Sequence, residues 1–192
     1  MKHLGNLTVT PENALSFPAV SEIYGHLTIT AGARLIAPNL TMVRGWVTIL
    51  DNGSFGAPQL GLVDGWLTIR GEGAAWLPNL TEVRADLTMD VDGNLDAPLL
   101  DSVGALQVRN GSQDGWPFPS LRFVRNALTL GAGNVSLSMP LLDTVGGSLT
   151  LRANAELNAR VIENAPNLRH IGGYADIDET ATIVAPKFTN AT

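Results

Sequence analysis

The chain has 192 residues, of which 45% are apolar, 6% aromatic and 16% charged, and it contains no cysteine. This apolar content excludes a wholly disordered chain, and the lack of cysteine excludes disulfides and thiolate metal sites. Twelve basic against eighteen acidic residues give a net charge of −6 without a basic stripe, which argues against nucleic-acid binding. No apolar run approaches the ~20 residues of a membrane span, and residues 1–6 lack the apolar stretch of a secretory signal. We therefore expect no membrane insertion, and the compartment stays unknown.

A repeat of about 20 residues runs through the whole chain. Its pattern is G-x-L-T-I, a loose segment with one apolar residue, and then P-x-L-x-x-V, as in residues 25–44 and 65–84. The repeated prolines are Pro18, Pro38, Pro58, Pro78, Pro98, Pro119, Pro140, Pro166 and Pro186. The repeats start near residues 5, 25, 45, 65, 85, 104, 126, 147 and 173. We interpret residues 1–192 as a single repeat domain.

The L-T-I segment predicts a short strand, because its first and third residues are apolar and its middle residue is polar. Such a strand is too short to be stable alone, so equivalent strands from successive repeats should stack in parallel, ~4.8 Å apart. Parallel connections are overwhelmingly right-handed. The sequence therefore predicts an all-β fold, a right-handed parallel β-solenoid of about nine coils with ~20 residues each.

The remaining repeat positions predict the corners and the second wall. Proline cannot donate a ladder hydrogen bond and should lie at one corner, and the glycine that opens many repeats suggests a second corner with unusual backbone angles. The leucine two residues after proline and the valine five residues after it should line the core. The longest insertion, residues 152–164, has Leu157 and Val161 at helical spacing, so we expect a short helix there.

The quoted pattern, seen most clearly in residues 25–45 and 65–83, resembles leucine-rich-repeat-like solenoids. It looks most like the L domains of growth-factor and insulin-type receptors and like bacterial surface repeats of similar form. The asparagine ladder of typical leucine-rich repeats and the disulfides of receptor L domains are missing. The resemblance implies non-catalytic ligand or protein binding, but it transfers no particular ligand to this chain.

A row of threonines occupies the middle of the predicted strands and should face solvent. An exposed threonine ladder suits an ice-binding surface, but β-branched residues also favour exposed strand positions for structural reasons. The neighbouring position holds Thr30, Leu50, Arg70 and Asp90, which is not a second threonine row. The row comprises Thr8, Thr28, Thr48, Thr68, Thr88, Thr129 and Thr150.

Two tryptophans mark the candidate binding site. Trp46 and Trp66 occupy equivalent outward positions on successive coils, so their rings should stack side by side in the open. An aromatic ladder that only covers the coil edge is the structural alternative. We expect Trp76 and Trp116 to pack near the second wall. The candidate binding residues are His26, Trp46, Thr48, Trp66, Thr68 and Arg70.

The sequence contains few motifs that suggest catalysis or metal binding. The run from Asp90 to Asp96 loosely resembles a calcium loop, but its glycine is at the fourth position instead of the sixth, so we predict a simple turn. His3, His26 and His170 lie at different repeat positions and should not cluster. We expect no enzyme activity, no catalytic residue, no metal and no cofactor, with an acid/base site beside the 152–164 insertion as the weaker alternative.

The leading functional interpretation is a non-catalytic protein-interaction or structural scaffold module with a protein partner. The alternative is a binder of carbohydrate or ice surfaces that uses the threonine and tryptophan face. Neither end of the solenoid shows a recognisable capping sequence, so homo-oligomerisation through the solenoid ends is a further expectation.

Overall fold

The computed structural model describes residues 2–13, 15–90, 92–109, 111–131, 133–151, 161–163, 170–171, 173, 175–177, 182–183 and 190–191. In these segments the chain forms short parallel strands and one 3-10 helix, Pro11–Asn13. Each coil contributes a strand to each of three rows; rows 1 and 2 are hydrogen-bonded between successive coils throughout, and row 3 is interrupted once. The predicted parallel β-solenoid is confirmed.

Row 1 contains the L-T-I strands in uninterrupted register, for example Leu27 beside Val47 and Val47 beside Leu67. From Leu7 to Leu87 the L-T-I strands are 20 residues apart, so each coil places its strand beside the equivalent residues of the coil before it. The strands of row 1 are Leu7–Val9, Leu27–Ile29, Val47–Ile49, Leu67–Ile69, Leu128–Leu130, Leu149–Leu151 and Ala175–Ile177, together with the second halves of Glu82–Asp90 and Ser102–Arg109.

Row 2 follows the proline corner and continues into row 1 of the next coil. Its strands are Lys2–Leu4, Val20–Ile23, Met42–Val43, Leu62–Val63, Phe123–Val124, Thr144–Val145, His170–Ile171 and Asn190–Ala191, together with the first halves of Glu82–Asp90 and Ser102–Arg109. Row 3 lies between the L-T-I strand and the proline and is divided into two sheets. One sheet comprises Leu15–Ser16, Arg34–Ile36, Ser54–Gly56, Ala74–Trp76 and Asn94–Asp96, and the other comprises Gly111–Pro117, Gly133–Ser138, Val161–Glu163 and Thr182–Ile183.

The core fills the space between the three rows with stacked aliphatic side chains. The predicted second wall is confirmed in the described coils, because the leucines two residues after proline and the valines five residues after it are all fully buried. Leu7, in the first coil, is only partly buried. The two buried sets are Leu40, Leu60, Leu80, Leu100, Leu121 and Leu142, and Val43, Val63, Val83, Val103, Val124 and Val145.

The proline corner is confirmed as a column of tight turns. In each turn proline follows the residue whose carbonyl accepts the closing hydrogen bond, as in Leu40 N–H to the Ala37 carbonyl at 3.2 Å. Proline suits that position because its ring presets the backbone angle φ. The asparagine after proline can tie two coils together, since Asn79 Nδ2 donates to the Pro58 carbonyl of the previous coil at 2.7 Å.

The 152–164 insertion differs from its expected helix where the structure describes it. Val161–Glu163 is a strand of row 3 that pairs with residues 136–138. At Val161 the backbone hydrogen bonds of the ladder therefore favour a strand over a helix. Residues 152–160 and 164, which include Leu157, lie outside the described residues.

Candidate functional site

The candidate site lies on the outer face of row 1, where alternate residues point away from the core. From Leu27 to Leu130 the apolar pair of each row 1 strand is buried, as Val47 and Ile49 are, so the residues before, between and after that pair face outward. This alternation places Trp46 and Thr48 on the same face as Trp66 and Thr68 of the next coil. The structure therefore brings together the predicted residues of three successive coils.

The threonines form an in-register ladder along this face. Thr8, Thr28, Thr48, Thr68 and Thr88 are paired in sequence across five coils. From Thr28 to Thr88 these side chains lie on the outward face and are half-buried, because each threonine packs between its two neighbours in the ladder. Thr150, in a later coil, departs further and is only 8% exposed.

Three rings on successive coils stack in one continuous column, which we call the aromatic stack: His26, Trp46 and Trp66. The Trp46 and Trp66 ring centroids are 4.6 Å apart with an interplanar angle of 8°, and His26 stacks on the other face of Trp46 at 10°. Trp46 is partly buried, whereas Trp66 is 44% exposed. The predicted stacking of Trp46 on Trp66 is confirmed, and the structure adds His26 as its first member.

Hydrogen bonds to the backbone orient His26 within the aromatic stack. The Trp46 backbone N–H donates to His26 Nδ1 at 3.4 Å, and the His26 N–H donates to Asn6 Oδ1 at 2.9 Å. Because Nδ1 accepts a hydrogen bond, the neutral imidazole carries its proton on Nε2. The imidazole is thus fixed in orientation by the neighbouring coils.

A column of glycines sets the spacing of the aromatic stack. Gly25, Gly45 and Gly65 directly precede the three rings, and their backbones bond in series, with Gly65 N–H to the Gly45 carbonyl at 3.0 Å. A Cβ at residue 65 would lie 2.6 Å from that carbonyl oxygen. Glycine is therefore needed at this corner because the backbones of successive coils approach too closely for a side chain. The expectation of unusual backbone angles there is wrong, because the described glycines with positive φ are Gly32 and Gly71.

Arg70 lies apart from the rings. It is four residues beyond Trp66, which places it about 13 Å further along an extended strand. It is exposed and starts the next turn, where the Gly73 N–H donates to the Arg70 carbonyl at 3.1 Å. The structure thus groups His26, Trp46, Thr48, Trp66 and Thr68 and leaves Arg70 at the opposite end of the strand.

A second cluster beside the aromatic stack is not among the predicted site residues. Tyr24 is 50% exposed, the Arg44 guanidinium lies 4.8 Å from the centre of its ring, and Arg44 Nη2 is 3.3 Å from Glu22 Oε2. Asp64 and Arg84 continue this column as an ion pair. The sequence does contain a pattern that could have predicted this cluster, because Tyr24, Arg44, Asp64 and Arg84 follow one another at intervals of 20 residues.

Trp76 does not pack near the second wall as predicted. It occupies an outward position at the end of Ala74–Trp76 in row 3 and is 51% exposed. The buried position in that strand belongs to Ala75, so strand alternation turns the indole outward. Trp76 and Ile36 border an open groove of about 380 Å³ over Gly56. The prediction for the Trp116 side chain lies outside the described residues.

The acidic run after row 1 of the fifth coil forms the predicted turn. The Gly93 N–H donates to the Asp90 carbonyl at 3.0 Å, and Asp90 Oδ2 accepts from the Gly71 N–H at 3.2 Å. In the described segments, no group of three or more His, Asp or Glu side chains is placed to hold a metal ion. Within the same segments, no helix combines the length and apolar character that crossing a bilayer requires.

The fold and the site define a repeat β-solenoid with an exposed aromatic stack on one strand face. Comparison of the chain with protein-family models, with curated proteins and with solved structures finds no match.

Proposed function

We propose that the protein is a non-catalytic interaction module that binds a protein partner through the aromatic stack and the adjoining threonine ladder. The observation that carries this proposal is the half-exposed Trp66 at the end of the stack. Tryptophan, tyrosine and arginine are the residue types enriched in the energetic centres of protein interfaces. Tyr24 and Arg44, two residues before His26 and Trp46 along the chain, extend this composition.

The geometry of the rings favours a protein partner over a carbohydrate. A sugar-stacking platform needs open ring faces, whereas the aromatic stack uses both faces of Trp46 and one face of Trp66 for its own contacts. One face of Trp66 and the ring edges remain for solvent, and this mixture suits the side-chain contacts of a protein interface better than a platform of several open rings. For the ice alternative, the threonine ladder has a mixed neighbour column that includes Leu50, Arg70 and Asp90, so the face is chemically uneven.

We also propose that the solenoid is of the leucine-rich-repeat-like kind that includes receptor L domains. The buried L-x-I pair of each row 1 strand and the P-x-L-x-x-V corner support this relationship. Such repeats present a continuous strand surface to their ligands, which agrees with a binding role for row 1.

The proposed function predicts that the Trp66→Ala variant loses its partner and that the Trp76→Ala variant keeps it. Both substitutions remove a tryptophan of similar exposure, 44% and 51%, but from different rows. A central interface tryptophan contributes about 2 kcal/mol or more, so Trp66→Ala should weaken binding at least ~30-fold.

The measurement is affinity capture with the full chain, followed by titration of the identified partner. Thermal denaturation of both variants controls for loss of folding. Unchanged partner affinity of a folded Trp66→Ala variant would remove the aromatic stack from the interface, and selective loss in Trp76→Ala would move the interface to row 3.

A further inference from the structure

The aromatic stack ends abruptly at Trp66, and the next two coils carry much shorter side chains. Asp86 follows Trp66 at the equivalent position, because Leu67 is in register with Leu87. Ala105 follows Asp86 in the same column. Along this column the outward side chain therefore changes from the indole of Trp66 to the carboxylate of Asp86 and the methyl group of Ala105. We call this step the Trp66–Asp86 notch.

One face of the Trp66 ring remains uncovered at this notch. Trp46 covers the opposite face at a centroid distance of 4.6 Å. Asp86 is too short to cover an indole, and both Trp66 and Asp86 are exposed. In the described part of the chain, no cation lies over the Trp66 ring, and the Asp86 carboxylate has no hydrogen-bond or ion-pair partner.

An aromatic face beside a free carboxylate matches the chemistry of a cation. The ring quadrupole attracts a positive charge above its face, and the carboxylate adds charge-assisted hydrogen bonds. The chain completes this arrangement with its own residues one column away, where Arg44 lies over Tyr24 and pairs with Glu22. The Trp66–Asp86 notch has the ring and the acid but lacks the arginine.

Nearby arginines of the chain are engaged or distant. Arg84 is paired with Asp64 and Glu82, and Arg109 Nη2 donates to Gln107 Oε1 at 3.0 Å. Arg70 lies about 13 Å along the strand from Trp66. A ligand from outside the chain is therefore the natural source of the cation, and the net charge of −6 favours a basic one.

We propose that the Trp66–Asp86 notch receives an arginine side chain of the protein partner. The planar guanidinium stacks on the open face of Trp66 and donates two hydrogen bonds to the Asp86 carboxylate. Arginine suits this geometry better than lysine, because an ammonium group is a compact charge that neither stacks nor bonds in a bidentate way. This inference rests on the proposed function and names the chemistry of its partner.

The test titrates the full chain with the blocked peptide Gly-Gly-Arg-Gly-Gly and with its lysine and citrulline counterparts. The Trp66 indole N–H resonance, assigned from the Trp66→Phe spectrum, reports binding. We expect saturable shifts with the arginine peptide, weaker binding of the lysine peptide and no binding of citrulline. In D86N the arginine peptide should bind at least about tenfold more weakly, because a charged hydrogen-bond acceptor is lost.

The matched control is D92N, which removes the same charge from an exposed turn and should change peptide affinity less than twofold. Equal loss in D86N and D92N would overturn the proposal in favour of unspecific attraction, and so would equal affinity for arginine and lysine or an unshifted Trp66 signal. The partner-capture experiment separates the two failures. If D86N retains full partner affinity while Trp66→Ala loses it, the arginine inference fails and the proposed function stands; if Trp66→Ala retains the partner, both fail.

Discussion

At the scale of single residues, glycine positions decide how closely successive coils approach. The repeat pattern correctly marks Gly45 and Gly65 as a corner, but a one-dimensional pattern cannot distinguish a turn from a close contact with the next coil. The structure supplies that reason, since Gly65 has no room for a Cβ beside the Gly45 carbonyl. Gly56 in row 3 differs, because a Cβ there would lie 3.8 Å from Trp76 Cε3 and 4.0 Å from the Leu35 carbonyl oxygen.

Alanine substitutions at these two glycines should therefore have opposite effects. Gly56→Ala should stabilise the protein by about 0.4–1 kcal/mol, because it restricts the unfolded chain at a position with sufficient space. Gly65→Ala should destabilise it by about 1–3 kcal/mol, because the added methyl group forces two coils apart. Urea denaturation measures both free energies of unfolding. Equal changes in the two variants would contradict the distinction between close approach and open space.

At the scale of the strands, the core of row 3 combines large and small side chains in one column. Leu35, Phe55 and Ala75 are in register on adjacent strands and are all buried. The sequence pattern predicts an apolar residue at this position of every repeat. It does not predict that Phe55 takes the space left by Ala75, because the two residues are 20 positions apart and only the ladder makes them neighbours.

The large Phe55 beside the small Ala75 predicts that substitutions at these two positions are energetically coupled. Phe55→Ala alone should cost about 3–5 kcal/mol through the cavity it leaves, and Ala75→Phe alone about 1–3 kcal/mol through overpacking. The double variant should be more stable than the sum of the single costs by at least about 1 kcal/mol. Chemical denaturation of all four proteins gives the coupling energy, and strict additivity would show that the two positions do not share one volume.

At the scale of the whole molecule, the strand ladders connect each coil to its two neighbours, and the Arg125–Glu82 ion pair additionally reaches across one intervening coil. Rows 1 and 2 could be predicted almost residue by residue, because the 20-residue interval determines both the burial period and the register. The aromatic stack followed from the same interval through Trp46 and Trp66. The outward position of Trp76 and the uncovered face of Trp66 could not be read from the pattern, since the first depends on which residue of the row 3 strand turns inward and the second on the side chain in the next coil.

Because the ladder and core contacts join mainly adjacent coils, we predict that damage to one coil stays near that coil. Leu67→Ala removes a fully buried side chain of row 1 and should cost about 2–5 kcal/mol locally. Native-state hydrogen exchange should show the largest loss of amide protection around residues 45–90 and a smaller loss around residues 120–150. Leu128→Ala is the matched control and should move the loss to the later coils. A uniform loss of protection in both variants would indicate that the molecule unfolds as a single cooperative unit.

The glycine column between Gly25 and Gly65 has a consequence for how such a chain can change length. Gly45 makes the same backbone hydrogen bond to Gly25 that Gly65 makes to Gly45. The segment from one of these glycines to the next is therefore a structural module of one coil. Copying that module once would lengthen the protein by one strand spacing and would add another ring to the aromatic stack, with the contacts at the insertion point replaced by equivalent ones. An insertion of any other size between those glycines would have to loop out. The length of the solenoid and the area of its aromatic stack are therefore adjustable in whole coils, by gene duplication, without redesign of the interior.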